Sequence, residues 1–200
     1  MVESPVMSLI ADRVLIVPRW AGSPTSDYYP WLTGALKARF GEGLEVRALA
    51  MPEPSAPRID TWPPRLLAEA GEDRGALRRT LLVGHSVGCQ TVLRALAAMD
   101  EDASVAGVLL VAAWFRVDRP WETIVPWMAD DYDVKRARAR TPWLDVLLSD
   151  NDPFTADFEA TAADLRARAG AEVTVVPGAK HFNAAEEPAV LSALARRLGG

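Results

Sequence analysis

Cysteine and histidine are nearly missing from this chain of 200 residues, which holds one cysteine, Cys89, and two histidines, His85 and His181. A lone cysteine cannot close an intramolecular disulfide. The three residues together fall short of the nitrogen and sulfur ligands of a tetrahedral zinc site, so no metal is expected. Cationic charge is also short: 22 Lys and Arg stand against 27 Asp and Glu, a net charge of -5, with a pI near 5.1. Nucleic-acid binding needs a basic surface that displaces counterions from phosphate, so no nucleic-acid partner is expected. The one basic run, Lys135 to Arg140, would scatter its charges around a helix axis and reads as a solvated surface segment. Long hydrophobic runs are absent as well. Val105 to Phe115 is about half of what a membrane span requires. Met1 to Asp12 carries Glu3 and has neither the basic start nor the apolar core of a secretory signal. The expectation is a cytoplasmic protein with no membrane partner.

What the chain does have is core-forming material, 50% hydrophobic residues, in a length that can bury roughly 70% of the unfolded surface. With no repeat and no shift in composition, residues 1–200 read as a single domain. Short apolar runs recur at Arg13 to Val17, Leu44 to Leu49, Thr80 to Val83, Val105 to Ala112, Trp143 to Leu148 and Glu172 to Val176. Continuous apolar character marks strands covered on both faces, as in a parallel sheet. Between them, Tyr29 to Phe40, Cys89 to Met99, Phe154 to Ala169 and Pro188 to Leu198 space apolar residues at three and four, and Gly41, Gly170 and Gly199 follow three of these as stops. The pattern predicts a doubly wound α/β fold. Met51 to Pro64 contains five prolines and reads as an ordered loop leading into a helix near Arg65 to Ala70. Ala113 to Pro142 holds three tryptophans without a clean period, and a connection that long reads as a short lid or binding loop.

Gly84-His85-Ser86-Val87-Gly88 follows a strand directly and precedes a helix, which is the setting of a nucleophile elbow. A serine hydroxyl needs a histidine base oriented by a carboxylate. His85 adjoins the serine in sequence and is badly placed to reach its oxygen, which leaves His181 in the loop after the last strand. The carboxylate should leave an intervening strand, and Asp150 and Asp152 both stand after the fifth. Asp152 is preferred because Asp-Pro-Phe places it before the next helix, with Asp150 shaping the turn. Cys89 reads as a small buried residue.

Four segments give the chain a likeness to a known family: Val17 to Pro24, Met51-Pro52-Glu53-Pro54 through Trp62, the elbow, and Asp152-Pro153-Phe154 with Gly178 to Asn183. The sequence resembles the small α/β-hydrolase serine hydrolases that include retinoblastoma-binding protein nine and bacterial relatives. The resemblance implies a six-stranded parallel sheet in the order 2-1-3-4-5-6 flanked by helices, a catalytic triad of Ser86, Asp152 and His181, a small or absent cap and no cofactor. It also implies an oxyanion hole built from the Val87 amide and a second amide from the loop after the first strand, at Arg19 or Trp20. Pro18 has no N–H and cannot serve.

The expected reaction is hydrolysis of a small-molecule ester through an acyl-enzyme, with amide hydrolysis and acyl transfer sharing the intermediate. Trp20, Trp114, Phe115 and Phe182 border the site loops and are expected to line the substrate pocket, with core filling as the alternative for such large aromatics. A binding-only protein on the same scaffold is the alternative, and labelling of Ser86 by a fluorophosphonate separates the two. A dinucleotide-binding oxidoreductase would need a Gly-x-Gly-x-x-Gly turn after the first strand, where Pro18-Arg19-Trp20-Ala21-Gly22-Ser23 stands instead.

Overall fold

A computed structural model describes residues 9–199, so most of the stretch Met1 to Asp12 lies outside the described residues. Its frame is one six-stranded parallel sheet: β1 (Arg13–Val17), β2 (Glu45–Ala48), β3 (Thr80–His85), β4 (Gly107–Val111), β5 (Leu144–Ser149) and β6 (Glu172–Val176). The spatial order is β2-β1-β3-β4-β5-β6, as expected. The α-helices among the described residues are α1 (Tyr29–Phe40), α2 (Trp62–Ala70), α3 (Arg74–Leu77), α4 (Val87–Ala98), α5 (Val134–Arg138), α6 (Phe158–Ala169) and α7 (Pro188–Leu198).

Alternate residues of the central strands feed two cores. Val14, Ile16, Leu81 and Val83 pack with Leu32 and Leu36 of α1 and Leu194 of α7. Leu15, Val17 and Leu82 pack on the other face with Leu66 of α2, Val92 and Leu96 of α4 and Leu165 of α6. Burial on both faces explains why these strands read as unbroken apolar runs. β6, at the sheet edge, keeps an exposed or half-exposed surface along its whole length.

Several boundaries moved. α4 begins two residues earlier than its apolar spacing indicated, directly after Ser86. α6 begins four residues later than expected, where the Asp157 carboxylate caps it by accepting the Ala160 N–H at 2.9 Å. The polyproline stretch ends in α2 itself, since Pro63 and Pro64 sit in its first turn, where a missing N–H costs nothing.

The basic run corrects the sequence reading. Lys135 to Arg138 belong to α5, and Arg140 is buried, its guanidinium donating to the Glu101 carbonyl at 2.9 Å. Arg136 likewise donates to the Met99 carbonyl at 3.0 Å. These cations satisfy chain carbonyls at the ends of neighbouring elements rather than facing solvent alone. Residues 113–142 are also packed down: they hold a 3-10 turn at Val125–Met128 and α5, and Trp127 is fully buried with its indole N–H on the Pro57 carbonyl at 3.0 Å. Arg94 of α4 secures them further, pairing with Asp131 and donating to the Ala129 carbonyl at 3.1 Å.

Candidate active site

Ser86 occupies the turn between β3 and α4 with φ 56° and ψ -119°, a strained conformation for a residue with a Cβ. Both flanking glycines are required by close approach. A Cβ on Gly84 would lie 2.7 Å from the Cys89 Cα, and one on Gly88 would lie 2.3 Å from the Val17 carbonyl oxygen. The turn therefore presses α4 against the ends of β1 and β3 and holds Ser86 above the sheet. Ser86 is 7% exposed. Among the described residues its hydroxyl has no hydrogen-bond partner, so Ser86 and His181 are not joined in this structure. Cys89 is enclosed, with its thiol directed at the Gly84 and Val111 carbonyls at 3.2 and 3.3 Å, and burial pushes its pKa up.

The loops after β5 and β6 are brought together by three consecutive side chains after β5. Asp150 accepts the Gly178 N–H at 2.7 Å, Asn151 accepts the Lys180 N–H at 2.7 Å, and Asp152 Oδ2 meets His181 Nδ1 at 2.7 Å. The second oxygen of Asp152 accepts the Phe154 N–H at 2.9 Å, which fixes the carboxylate plane. Asp152 and His181 are both buried, so their contact lies out of bulk water. Asp150, expected to shape its own turn, instead holds the Gly178 amide of the loop after β6. The Phe154 ring stands edge-on to the His181 imidazole with centroids 4.6 Å apart. Pro153, Phe154, Lys180, His181, Asn183 and Glu187 line an open depression of about 730 Å³ beside that imidazole.

On the opposite side, the Arg19 amide donates to Tyr29 Oη at 3.1 Å, which removes it from the free donors of the β1 loop. Trp20 is half-buried, and its indole N–H reaches Thr123 Oγ1 at 3.1 Å while its ring meets Trp121 edge-on. Val87, the first residue of α4, carries one of the helix's opening amides, which lack intrahelical acceptors.

Three of the expected pocket residues are core residues instead. Phe182 is fully buried among the side chains of the α1–α7 face, because its φ of 54° turns the ring inward from the loop. Trp114 and Phe115 are buried on the α4 face, where the Trp114 carbonyl accepts from Gln90 Nε2 and the Arg168 guanidinium covers the Phe115 ring at 3.8 Å. Sequence position placed them at strand ends, but side-chain direction sends them into the core. Of the four, Trp20 alone is not buried.

The profile of the serine hydrolase family matches residues 14–195 of this chain. The chain belongs to the serine hydrolase family. The hydrolase is 30% identical over 105 residues to the ydeN gene product of Bacillus subtilis (strain 168), a stretch covering about half of each sequence, 52% in both cases. The crystal structure of that gene product superposes with a TM-score of 0.82 at 24% identity, covering 94% of this hydrolase and 98% of that chain. Est1E from Butyrivibrio proteoclasticus, solved with ferulic acid bound, gives a TM-score of 0.66 at 14% identity over 93% of this chain and 87% of the other. The RedJ thioesterase of Streptomyces coelicolor gives 0.58 at 18% identity over 93% and 90%. These likenesses to solved structures are likenesses of fold. No helix among the described residues is long and apolar enough to cross a membrane.

Two site features were not legible beforehand. The grip of Asp150 and Asn151 on the loop after β6 left only a weak trace, a polar cluster after a strand. The engagement of the Arg19 amide by Tyr29 left none, since Tyr29 reads as an ordinary apolar helix residue.

Proposed function

We propose that the protein is a carboxylesterase that hydrolyses small acyl esters through Ser86, His181 and Asp152. The observation that carries this reading is the buried 2.7 Å contact between His181 Nδ1 and Asp152 Oδ2, in a chain whose elbow holds Ser86 in a strained backbone conformation with its hydroxyl unengaged. A carboxylate on Nδ1 leaves the hydrogen there and directs the Nε2 lone pair outward as the base.

In the proposed reaction, Ser86 Oγ attacks the ester carbonyl carbon while its proton passes to His181 Nε2. The carbonyl π-bond opens to an oxyanion held by the Val87 and Trp20 amides, Arg19 being committed to Tyr29. Collapse of the tetrahedral intermediate breaks the bond to the alcohol oxygen, which leaves with the proton from Nε2. Water then attacks the acyl-enzyme with the same base, releasing the acid and restoring Ser86.

Hydrolysis of p-nitrophenyl acetate by the wild-type protein and by Ser86→Ala tests the reading, with fluorophosphonate labelling of Ser86 as a second measure. Loss of at least about 1000-fold in the variant and labelling in the wild type are expected. Equal rates, or a wild-type Ser86 that does not label, would overturn the esterase reading and favour a protein that only binds.

A further inference from the structure

The imidazole of His85 has no part in the reaction just described, yet it touches both sides of the site. Its Nε2 lies 2.8 Å from the His181 carbonyl oxygen, and its Nδ1 lies 2.7 Å from Tyr29 Oη. Tyr29 Oη in turn accepts the Arg19 N–H at 3.1 Å. A carbonyl can only accept, so His85 Nε2 carries the hydrogen. Nδ1 of the neutral ring is then the acceptor and takes the hydroxyl hydrogen of Tyr29. Every proton in the chain from Arg19 to His181 thus has one place. Burial holds the ring neutral, pushing the His85 pKa well below its usual value, with the neighbouring His181 adding to the effect. Burial also pushes the Tyr29 pKa up, so its hydroxyl keeps its proton.

We infer that Tyr29 and His85 are positioning residues, a buried two-residue strut that sets the spacing between the oxyanion loop at Arg19–Trp20 and the base loop at His181. The inference rests on the roles given above to Trp20 and His181. Neither loop is self-supporting where the strut meets it. Lys180 and Phe182, on either side of His181, are left-handed with φ of 52° and 54°, and Ala21 on the other loop has φ of 53°. Such backbone persists only where its surroundings hold it. Among the described residues, the His181 carbonyl has His85 as its one hydrogen-bond donor.

A second tie runs parallel on the outside. The Arg19 guanidinium pairs with Asp27 at 2.8 Å and donates to the Trp20 carbonyl at 2.8 Å, while Asn183 donates to Asp27 at 3.2 Å. The peptide bearing the Trp20 N–H is therefore pinned on both flanks, and water screens the outer tie more than the inner one.

The experiment compares His85→Asn, His85→Gln and Tyr29→Phe in p-nitrophenyl acetate hydrolysis, with thermal melts as the check on folding. The shorter amide leaves an acceptor for Tyr29 but cannot reach the His181 carbonyl, whereas the longer one can place an N–H there. Expected results are a kcat reduced about 10- to 100-fold in His85→Asn with KM within about twofold, and recovery of at least about half of that loss, on a logarithmic scale, in His85→Gln. Tyr29→Phe, which keeps the ring and its packing, should lower kcat about tenfold by freeing the Arg19 amide. Folded variants with wild-type kcat would overturn the inference, as would equal losses in the Asn and Gln variants. Ring ¹⁵N spectra of the wild type, simple with two histidines, read the strut without activity. A non-titrating neutral ring with hydrogen on Nε2 supports it, and the opposite tautomer or a freely titrating His85 overturns it. Absence of Ser86-dependent hydrolysis would sink the esterase reading alone, and amide exchange at Arg19 and residues 180–183 in Tyr29→Phe would then decide the strut, faster exchange supporting it and unchanged exchange refuting it.

Discussion

Gly88→Ala is a small perturbation with a large expected effect. The added Cβ would stand 2.3 Å from the Val17 carbonyl oxygen, 2.8 Å from that of Pro18 and 2.9 Å from the Val17 carbonyl carbon. Ordinary van der Waals contact begins near 3.4 Å, so the shortfall at the closest atom is about 1 Å. None of these is the end of a flexible side chain that could swing aside. They belong to the backbone at the end of β1, which pairs with β2 on one side and β3 on the other. The sheet is the stiffer partner, so α4 must lift, and it carries Val87 and the end of the Ser86 turn with it. Misplacing a reacting group by about 1 Å costs on the order of 100-fold in rate, and overpacking costs about 1–3 kcal/mol of stability. For a domain of this size each kcal/mol lowers Tm by roughly 2–4 °C. Steady-state hydrolysis of p-nitrophenyl acetate and a thermal melt measure the two effects. Gly34→Ala is the control: that glycine is exposed on α1 with nothing within 4 Å of the new Cβ, and the change should stabilise by about 0.5–1 kcal/mol without altering kcat. A Gly88→Ala protein with kcat within about threefold of wild type and an unchanged Tm would refute the close-approach argument.

Asp152→Asn keeps the size of the side chain and an acceptor for the Phe154 N–H, but its neutral amide cannot stabilise an imidazolium. kcat should fall by about 1000- to 10,000-fold, and a fall of less than tenfold in the same assay would count against His181 as the base. Asp145 on β5 is buried and held by Nε and Nη2 of Arg197 at 2.9 and 2.7 Å. Arg197→Ala should therefore cost about 1–3 kcal/mol in urea unfolding by leaving a carboxylate short of partners, while an unchanged midpoint would show that solvent replaces the pair. His85 should make stability depend on pH. Its folded ring stays neutral well below the usual pKa, whereas the unfolded ring takes up a proton near pH 6.5. The unfolded chain thus binds more protons, and stability falls as pH drops below about 6.5, by at most about 1.4 kcal/mol per pH unit. Unfolding midpoints at about pH 7.5 and about pH 5 should show this slope in the wild type and a shallower one in His85→Gln; equal slopes would show that His85 titrates normally.

Much of this architecture could be read along the chain because the strands are buried on two sides and so stand out as runs, and because Gly41 and Gly170 end their helices at the expected positions. β1 and α1 fell on their expected residues for that reason, and β6, though exposed or half-exposed, and α7 fell on theirs as well. Short elements escaped: α3, α5 and the 3-10 turn are four or five residues each, too short to show a period, and capping and tertiary contact decide them. At the site, Ser86, Asp152 and His181 were visible as types at the ends of strands, because topology alone brings the strand ends to one edge. The aromatic residues were not assignable in the same way. Which way a ring turns depends on a local φ, as at Phe182, and on the helix packed opposite, as at Trp114. Composition records neither. The basic run misled for a related reason, since an arginine beside the end of another element can serve its backbone carbonyls while keeping its spacing unremarkable.

The proposed nucleophile and the proposed base stand on parts of the sheet with very different exposure. Ser86 follows β3, every residue of which is buried and which has a strand on either side. His181 follows β6, the rim strand, exposed or half-exposed throughout and paired on one side alone. Local opening samples such rims at a fraction of the free energy of global unfolding. Fluctuation of β6 would withdraw the imidazole while the elbow, the central strands and most of the helical content stayed native. Heat or mild denaturant would then extinguish turnover before circular dichroism records a transition, so that loss of activity marks the loosening of one edge rather than the melting of the molecule.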